Sequence, residues 1–348
     1  MALASIDLYA QAIPVQDLLA QGITSVPEAY IQPHPPIYGS QRGNSTQIPV
    51  IDLTLPEEEI TDTIARACKD WGFFQVISHG VAQEIVDGML QAAKDFFDLP
   101  MAVRMKYFSA TPVPKTTGYS VRFDNSSVVD CRDFLFQSLC YPPSSDAVKE
   151  SCPSDPPHYR DSSARYCEAM HDLGRKLLRY VSRGLGLESN QIEQSLEELH
   201  HSMLMNRYLP CPQPELVLAL RSHTDPNVIS LLVDNGVPGL QVLKDGAWIT
   251  VHSLPGAIIV NMGDQLEIMS NGKYKSAEHR ALANSDSTRY SIASFFEPPP
   301  AGPLIAPFPE LVNPQDESQF QAVCYRDYLA IFFAKQASGK SVITQVKK

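Results

Sequence analysis

The feature that most limits how this chain can fold is a series of short apolar runs between residues 203 and 297. Turn-forming NG, DG and PG dipeptides separate the runs and mark sharp changes of chain direction. Several short strands spaced this closely are typical of a β-sandwich or a barrel. The runs are MLMNRYL, VISLLV, GLQVL, AWITV, AIIVN, LEIMS and RYSIASFF.

Outside this region the apolar residues recur at helical spacing. Ile60, Ile64 and Ala67 fall on one face of a predicted helix over 57–70. The same periodicity predicts helices over 15–20, 82–97, 162–183, 190–201 and 322–337. Bulky and β-branched residues predict strands over 48–53 and 71–77, and CRDFLFQ predicts another strand among loops between 108 and 160.

Composition narrows the class of protein. A chain of 348 residues with 44% hydrophobic residues can bury a sizeable core, and its net charge of −11 gives no general basis for binding nucleic acid. Seven cysteines without a CxxC pair indicate reduced thiols. The first residues do not resemble a signal peptide, and no apolar run approaches the roughly 20 residues that span a bilayer. We therefore expect a cytoplasmic monomer without a membrane or nucleic-acid partner.

The segment RSHTDPN carries the clearest chemical signal. It places His223 and Asp225 two positions apart, so that on a strand an imidazole and a carboxylate share one face. His279, in SAEHRAL, begins a different predicted strand and can supply a third ligand. Two histidines and one carboxylate leave open positions on an octahedral ion, which is the arrangement of non-haem iron(II) oxygenases. An HxD pair alone is common by chance, so the downstream context matters.

That context is RYS, in which Arg289 and Ser291 share a face of a strand soon after His279. Arginine offers a planar fork that suits a carboxylate, and serine adds a hydroxyl donor. An arginine in this apolar strand is costly to bury without a partner. The partner is either a protein carboxylate or the carboxylate of a ligand, and the sequence leaves both open.

Taken together, these motifs resemble the plant-type 2-oxoglutarate and iron(II) dioxygenase family. The resemblance covers most of the chain, because IPVIDL, CKDWGFFQVISHGV, NRYLPCPQPE and SNGKYKSAEHR also match family segments in order. It implies a fold that is mixed but mainly β, with a distorted double-stranded β-helix, or jelly roll, as core, flanking α-helices and a helical N-terminal region. The expected divisions are an N-terminal region (1–110), connecting strands and helices (111–200), the core (201–300) and a C-terminal extension with a helix (301–348).

The resemblance also implies functions for individual residues. Iron(II) is expected at His223, Asp225 and His279, and 2-oxoglutarate at Arg289 and Ser291 with contacts from Asn206 and Tyr208. Dioxygen is the oxidant, and ascorbate is expected to support activity. The predicted substrate contacts are Phe134 and Phe295, which match substrate-pocket aromatic residues of the family. Tyr119, in TGYS, and Glu297, which follows the RYSIASFF run, are further candidates from their positions in the chain. The chain departs from the family pattern at Arg207, where tyrosine is frequent, and at Cys131, where tryptophan is common.

Phe134 and Phe295 indicate a small, flat or aromatic substrate. The stretch from ELVLALRSHTDPN to GAWITV is similar to flavonoid-oxidising members such as flavone synthase I, flavanone hydroxylase and anthocyanidin synthase, so we expect hydroxylation or desaturation of a flavanone-like C ring. Members acting on gibberellins, coumarin precursors or alkaloids share this skeleton and remain alternatives. So do an iron oxidase of the same fold that does not use 2-oxoglutarate, a hydrolytic zinc enzyme, and a binding protein without chemistry.

Overall fold

A computed structural model describes residues 22, 25–33, 47–109, 117–120, 128–313, 315, 317–334 and 339–348. Fourteen strands lie within these residues, and most are short. They are β1 (Val50–Asp52), β2 (Phe73–Ile77), β3 (Thr117–Ser120), β4 (Asp133–Gln137), β5 (His200–Tyr208), β6 (Leu218–His223), β7 (Ile229–Asp234), β8 (Leu240–Lys244), β9 (Ala247–Thr250), β10 (Ile258–Met262), β11 (His279–Leu282), β12 (Arg289–Glu297), β13 (Leu304–Ile305) and β14 (Val323–Cys324).

The described α-helices flank this β structure. They are α1 (Glu57–Asp70), α2 (Gln83–Asp98), α3 (Met101–Arg104), α4 (Asp146–Ser151), α5 (Tyr159–Gly184), α6 (Gln191–Ser195), α7 (Asp264–Met269) and α8 (Tyr325–Ala334). None of them combines the length and the apolar character needed to cross a membrane. The predicted helix over 15–20 lies outside the described residues.

Two sheets form the core, as the jelly-roll prediction requires. The larger has the strand order β1-β2-β10-β7-β12-β5-β4-β3, and the smaller has the order β6-β11-β8-β9. Buried side chains of both sheets share one cluster, for example Phe73 and Ile259 of the larger sheet with Val242 of the smaller. Helices α1, α2 and α5 cover the other face of the larger sheet and contribute much of the largest apolar cluster.

Periodicity predicted the long helices well, because each has a continuous buried stripe. Helix α1 spans the predicted residues, α2 is displaced by one residue, and α5 extends slightly beyond the predicted helix at both ends. Two predictions were wrong. The helix over 190–201 ends at Ser195, and LEIMS is not a strand but part of α7, which begins after Gly263.

His200 and His201 therefore belong to a strand and not to a helix end. Tertiary pairing decides this, since β5 pairs with β12 along all nine of its residues. The side chain of His201 is fully buried and neither ring nitrogen has a hydrogen-bond partner. Its ring stacks on Phe296 with centroids 4.5 Å apart.

The structure also shows the position of the Arg207 side chain. Its guanidinium leaves the jelly-roll interior and lies on the helix-facing side of the sheet, where Nη2 donates to Asp133 Oδ2 at 2.7 Å and Nη1 donates to the carbonyl of Phe97 at 2.9 Å. Arg104 and Tyr119 donate to the same carboxylate oxygen. The positive charge of Arg207 is thus part of a buried ion cluster, and its side chain does not reach the substrate cavity described below.

A second buried histidine makes the fold sensitive to acid. His171 of α5 stacks flat on Tyr141 with centroids 3.5 Å apart, and burial, reinforced by the charge of Arg175, lowers the pKa of its imidazole to about 4. Its pKa in the unfolded chain is about 6.5. The stability that depends on neutral His171 is therefore present above about pH 6.5 and is lost as the pH falls towards 4.

We expect His171→Phe to reduce this sensitivity, because phenylalanine keeps the stacking and cannot be protonated. Between pH 7.5 and pH 5 the free energy of unfolding should fall by about 1 kcal/mol less in His171→Phe than in the unmodified protein, after allowance for solvent screening. Urea unfolding at the two pH values measures the difference. Equal losses in the two proteins would show that His171 does not contribute to acid sensitivity.

Candidate active site

Three side chains converge in the smaller sheet where β6 ends and β11 begins. His223 ends β6 and His279 begins β11, and the two residues face each other as a cross-strand pair. Asp225 lies just beyond β6 in the connection to β7, so the carboxylate reaches its neighbours from a loop and not from the predicted strand. Its Oδ1 is 3.7 Å from Nε2 of each histidine. Among the described residues, this is the group of histidine, cysteine and carboxylate side chains that could hold a metal ion.

Neighbouring groups fix the direction in which each histidine points. Nδ1 of His223 lies 2.8 Å from the carbonyl of Arg221, and Nδ1 of His279 lies 3.1 Å from the carbonyl of Ala277. Each imidazole therefore carries its proton on Nδ1 and presents the lone pair of Nε2 to the shared centre. Burial lowers the pKa of His223 to about 3, which keeps its ring neutral and suited to bind a metal.

The carboxylate is held as firmly as the two rings. Oδ2 of Asp225 accepts hydrogen bonds from Ser230 Oγ at 2.6 Å and from Asn261 Nδ2 at 2.8 Å. These contacts leave Oδ1 for a metal. Burial opposes ionisation of Asp225, but the two histidines and these hydrogen bonds hold the pKa of its carboxyl below the ordinary value. Two imidazole nitrogens and one carboxylate oxygen, with ligand atoms within 4.8 Å of one another, fit iron(II).

A second group of polar residues lies across three adjacent strands of the larger sheet. Strand β12 runs between β5 and β7, which sets Arg289 opposite Tyr208 and sets Ser291 opposite both Asn206 and Asp234. The guanidinium carbon of Arg289 lies 5.3 Å from the centre of the Tyr208 ring. All four predicted cosubstrate residues are thus brought together and buried.

Arg289 also has a protein partner, which the sequence left as an open alternative. Its Nη2 lies 2.9 Å from Oδ2 of Asp234, and its Nε donates to the carbonyl of Val237 at 3.1 Å. Asp234 was not foreseen, since no motif links it to Arg289 along the chain. Asn206 in turn accepts a hydrogen bond from Arg132 Nη1 at 2.5 Å.

A cavity of about 160 Å³ opens beside the metal-ligand group. His223 and Asp225 border it at one side, and Phe136, Phe295 and Glu297 form part of its wall. Phe136 and Phe295 supply aromatic faces. The side chains of α8 close the cavity from the C-terminal end of the chain: Tyr325, Leu329, Phe332 and Phe333.

Glu297 stands where the sequence predicted a polar contact with substrate. Its two oxygens accept hydrogen bonds from Ser202 Oγ at 2.7 Å and from Tyr325 OH at 2.5 Å. Burial raises the pKa of this carboxyl. It is therefore a rigid polar group in a wall that is otherwise largely apolar.

Two of the predicted substrate contacts do not reach the cavity. Tyr119 is buried on the helix-facing side of the sheet, where its hydroxyl donates to Asp133 at 3.2 Å. Phe134 packs with Leu204 and Ala293 and does not border the cavity. Phe136, two residues further along the same face of β4, borders it instead. A strand pattern identifies the face but not how far along the strand a cavity extends.

The fold and the site together define a class, that of non-haem iron oxygenases with a jelly-roll core. The comparisons with known proteins agree. Residues 200–298 match the 2OG-Fe(II) oxygenase superfamily, and residues 48–159 match the N-terminal segment described as non-haem dioxygenase in morphine synthesis.

Individual relatives cover nearly the whole chain. A flavonol synthase/flavanone 3-hydroxylase of Eustoma exaltatum subsp. russellianum is 37% identical over 319 residues, covering 89% of this chain and 94% of the relative. A flavanone 3-dioxygenase 2 of Oryza sativa subsp. japonica is 35% identical and covers 94% of this chain and 96% of the relative. The crystal structure of JOX2 in complex with 2OG, Fe and JA has a TM-score of 0.88 and 34% identity, covering 97% of this chain and 98% of JOX2.

The chain therefore belongs to the 2-oxoglutarate- and iron(II)-dependent oxygenase family. It is an oxidoreductase of the dioxygenase type and uses iron(II) and 2-oxoglutarate. A zinc hydrolase and a binding protein without chemistry are accordingly set aside.

Proposed function

We propose that this enzyme hydroxylates or desaturates the C ring of a flavanone or a related flavonoid, with iron(II) held by His223, Asp225 and His279. When bound, the iron supplies dioxygen activation coupled to the decarboxylation of 2-oxoglutarate to succinate. The observation that carries the proposal is the cavity beside these ligands, because it offers aromatic faces and the half-buried carboxyl of Glu297 within a small, largely apolar space.

The cosubstrate contacts are proposed from the second polar group. Arg289 and Ser291 would hold the distal carboxylate of 2-oxoglutarate, since a guanidinium and a hydroxyl on one strand face give three or more donors. Asn206 and Tyr208 lie opposite them on β5, which supports contacts of both residues with the bound cosubstrate. We expect the other end of the dicarboxylate to reach the metal ligands.

For the substrate, the cavity favours a flat molecule with a hydroxyl group. The rings of Phe136 and Phe295 would stack on it, and Glu297 would accept a hydrogen bond from a phenolic hydroxyl. Since Ser202 and Tyr325 hold both oxygens of Glu297, this contact would orient the substrate without a large loss of side-chain entropy. The names of the flavonoid-oxidising relatives support the same substrate class.

We expect Phe136→Ala to lower kcat/KM for a flavanone by about 10- to 100-fold, since a lost pocket contact costs about 1–3 kcal/mol. Phe134→Leu is the matched control, because Phe134 lies on the same strand face but not on the cavity. Its kcat/KM should stay within about threefold of the unmodified enzyme. Steady-state assays measure kcat/KM for both variants. A larger decrease for Phe134→Leu than for Phe136→Ala would indicate that Phe134, and not Phe136, contacts the substrate.

The experiment that tests the function is a succinate assay. The iron(II)-loaded enzyme is mixed with ascorbate, 2-oxoglutarate and air, with and without a flavanone, and succinate and products are measured by mass spectrometry. We expect succinate to rise with the flavanone, together with a product about 16 mass units heavier for hydroxylation or about 2 lighter for desaturation. Succinate without consumption of any flavonoid would contradict the substrate but not the family.

One observation favours a second candidate, an acidic substrate. Arg132 and Arg221 also border the cavity, although Asn206 accepts a hydrogen bond from Arg132 at 2.5 Å and Asp130 accepts one from Arg221 at 2.9 Å. The panel should therefore include JA, the compound in the JOX2 complex, with gibberellin, coumarin-precursor and alkaloid substrates beside it. Consumption of JA in place of flavanones would establish this candidate.

Three further predictions from the sequence stand as proposals. We expect a monomer, cytoplasmic localisation and stimulation by ascorbate. All seven cysteines are free in the structure, as expected for a reducing compartment. Size-exclusion chromatography tests the oligomeric state, and imaging of the tagged protein tests the localisation. Assays with and without ascorbate test the stimulation of activity.

A further inference from the structure

We propose that Asp234 is an internal counter-ion of Arg289, so that binding of 2-oxoglutarate exchanges one carboxylate on the guanidinium for another and Asp234 limits the affinity for the cosubstrate. This inference rests on the proposed function of Arg289 and Ser291. It assigns a function to a residue outside the metal ligands and the RxS pair.

The first step is the cost of burying Arg289. Its side chain is only 3% exposed, and a guanidinium at such a position needs a negative partner. Asp234 provides one at 2.9 Å, and its own side chain is only 5% exposed. Both charges are therefore compensated within the protein before any ligand enters.

The second step is how firmly Asp234 is held. Its Oδ1 accepts a hydrogen bond from the backbone amide of Gly236 at 2.9 Å, and its Oδ2 accepts another from Ser253 Oγ at 3.0 Å. The same turn contributes the carbonyl of Val237 to Nε of Arg289. The turn after β7 thus holds the arginine at two points, and no acceptor among the described residues takes a hydrogen bond from Nη1 of Arg289.

The third step is proximity to the incoming ligand. Ser291 is the cross-strand partner of Asp234, which places their side chains on one face with Cβ atoms about 5 Å apart. A carboxylate gripped by Arg289 and Ser291 would therefore lie a few ångströms from that of Asp234. Like charges at this distance repel appreciably even with solvent screening.

The fourth step is where Asp234 would find compensation once displaced. A second cavity, of about 800 Å³, borders Asp234 from the side of α2 and the loop before β10. Water in that cavity could hydrate the carboxylate while Gly236 and Ser253 keep their hydrogen bonds. The exchange therefore does not require a bare buried charge.

The test is equilibrium binding to the full chain loaded with Mn(II), measured without oxygen by isothermal titration calorimetry. We expect Asp234→Asn to bind 2-oxoglutarate about five- to tenfold more tightly than the unmodified protein, because the repulsion is gone. Its affinity for 2-oxobutyrate, which lacks the distal carboxylate, should not change. The ligand-free Asp234→Asn protein should melt at a lower temperature, since Arg289 has lost its counter-charge.

Controls separate this inference from the function on which it rests. Asp234→Glu keeps the charge and should stay within about twofold of the unmodified affinity, and Asp234→Gln serves as the neutral variant if Asp234→Asn does not fold. Unchanged or weaker 2-oxoglutarate binding in a folded neutral variant overturns the exchange, as does an equal gain for 2-oxobutyrate. If the unmodified protein binds no 2-oxoglutarate, the proposed function itself is wrong and the inference falls with it.

Discussion

Asp225→Ala is expected to reduce succinate formation below detection, because it removes the only carboxylate of the metal-ligand group. His223 and His279 would remain, but two imidazoles alone do not hold iron(II) in an oxygenase geometry. Bound iron per protein should fall in parallel, which metal analysis after desalting measures. Far-ultraviolet circular dichroism should stay unchanged, since Asp225 lies in a connection and not within a sheet.

Ser230→Ala provides the matched control for this prediction. Ser230 donates to the oxygen of Asp225 that faces away from the metal position, so the ligand itself remains in the variant. Loss of such a supporting hydrogen bond typically weakens metal affinity by about 10- to 100-fold. Activity should therefore recover at high iron(II) in Ser230→Ala and not in Asp225→Ala. Near-normal activity of Asp225→Ala would disprove the assignment of the three ligands.

Asp133→Ala is expected to cause the largest loss of stability, about 3–5 kcal/mol. Asp133 is completely buried and accepts hydrogen bonds from Arg104 and Arg207. Its removal would leave two guanidiniums in the protein interior, with Asp98, which is half exposed, as the other carboxylate near Arg207 at 3.6 Å. Equilibrium unfolding in urea measures the change in free energy.

A second substitution distinguishes the loss of the charge partner from a simple packing defect. Arg207→Met in the Asp133→Ala background removes one of the two uncompensated charges and keeps most of the side-chain volume. We expect the double variant to be more stable than Asp133→Ala alone. A decrease in the free energy of unfolding of less than about 1 kcal/mol in Asp133→Ala, or a further decrease when Arg207→Met is added, would show that the buried ion cluster contributes little to stability.

The sequence foresaw those parts of the site that depend on short spacings along the chain. His223 and Asp225 converge with His279 as the motif predicted, although Asp225 lies in the loop after β6. Arg289 and Ser291 share a face of β12 because successive side chains of a strand alternate. The long helices could be predicted equally well, since a buried stripe of the kind seen in α5 repeats over many turns.

Contacts between strands that are distant in the sequence could not be predicted from spacing along the chain. Asn261, which holds Asp225, and Tyr325, which holds Glu297, carry no motif that points to their partners. Which of Phe134 and Phe136 borders the cavity could not be predicted for a related reason, because both lie on one strand face and only the position of α8 and β12 determines it.

The sequence by itself thus identified the family of this protein and predicted the three metal ligands and the RxS pair, which the structure brings together as two groups of side chains. The tertiary structure alone decided the pairing of β12 with β7, which puts Asp234 on Arg289, and the pairing of β5 with β12, which turned a predicted helix end into a strand. Periodicity reports the direction in which a side chain points, whereas the partner that it meets depends on which strands pair and in which register.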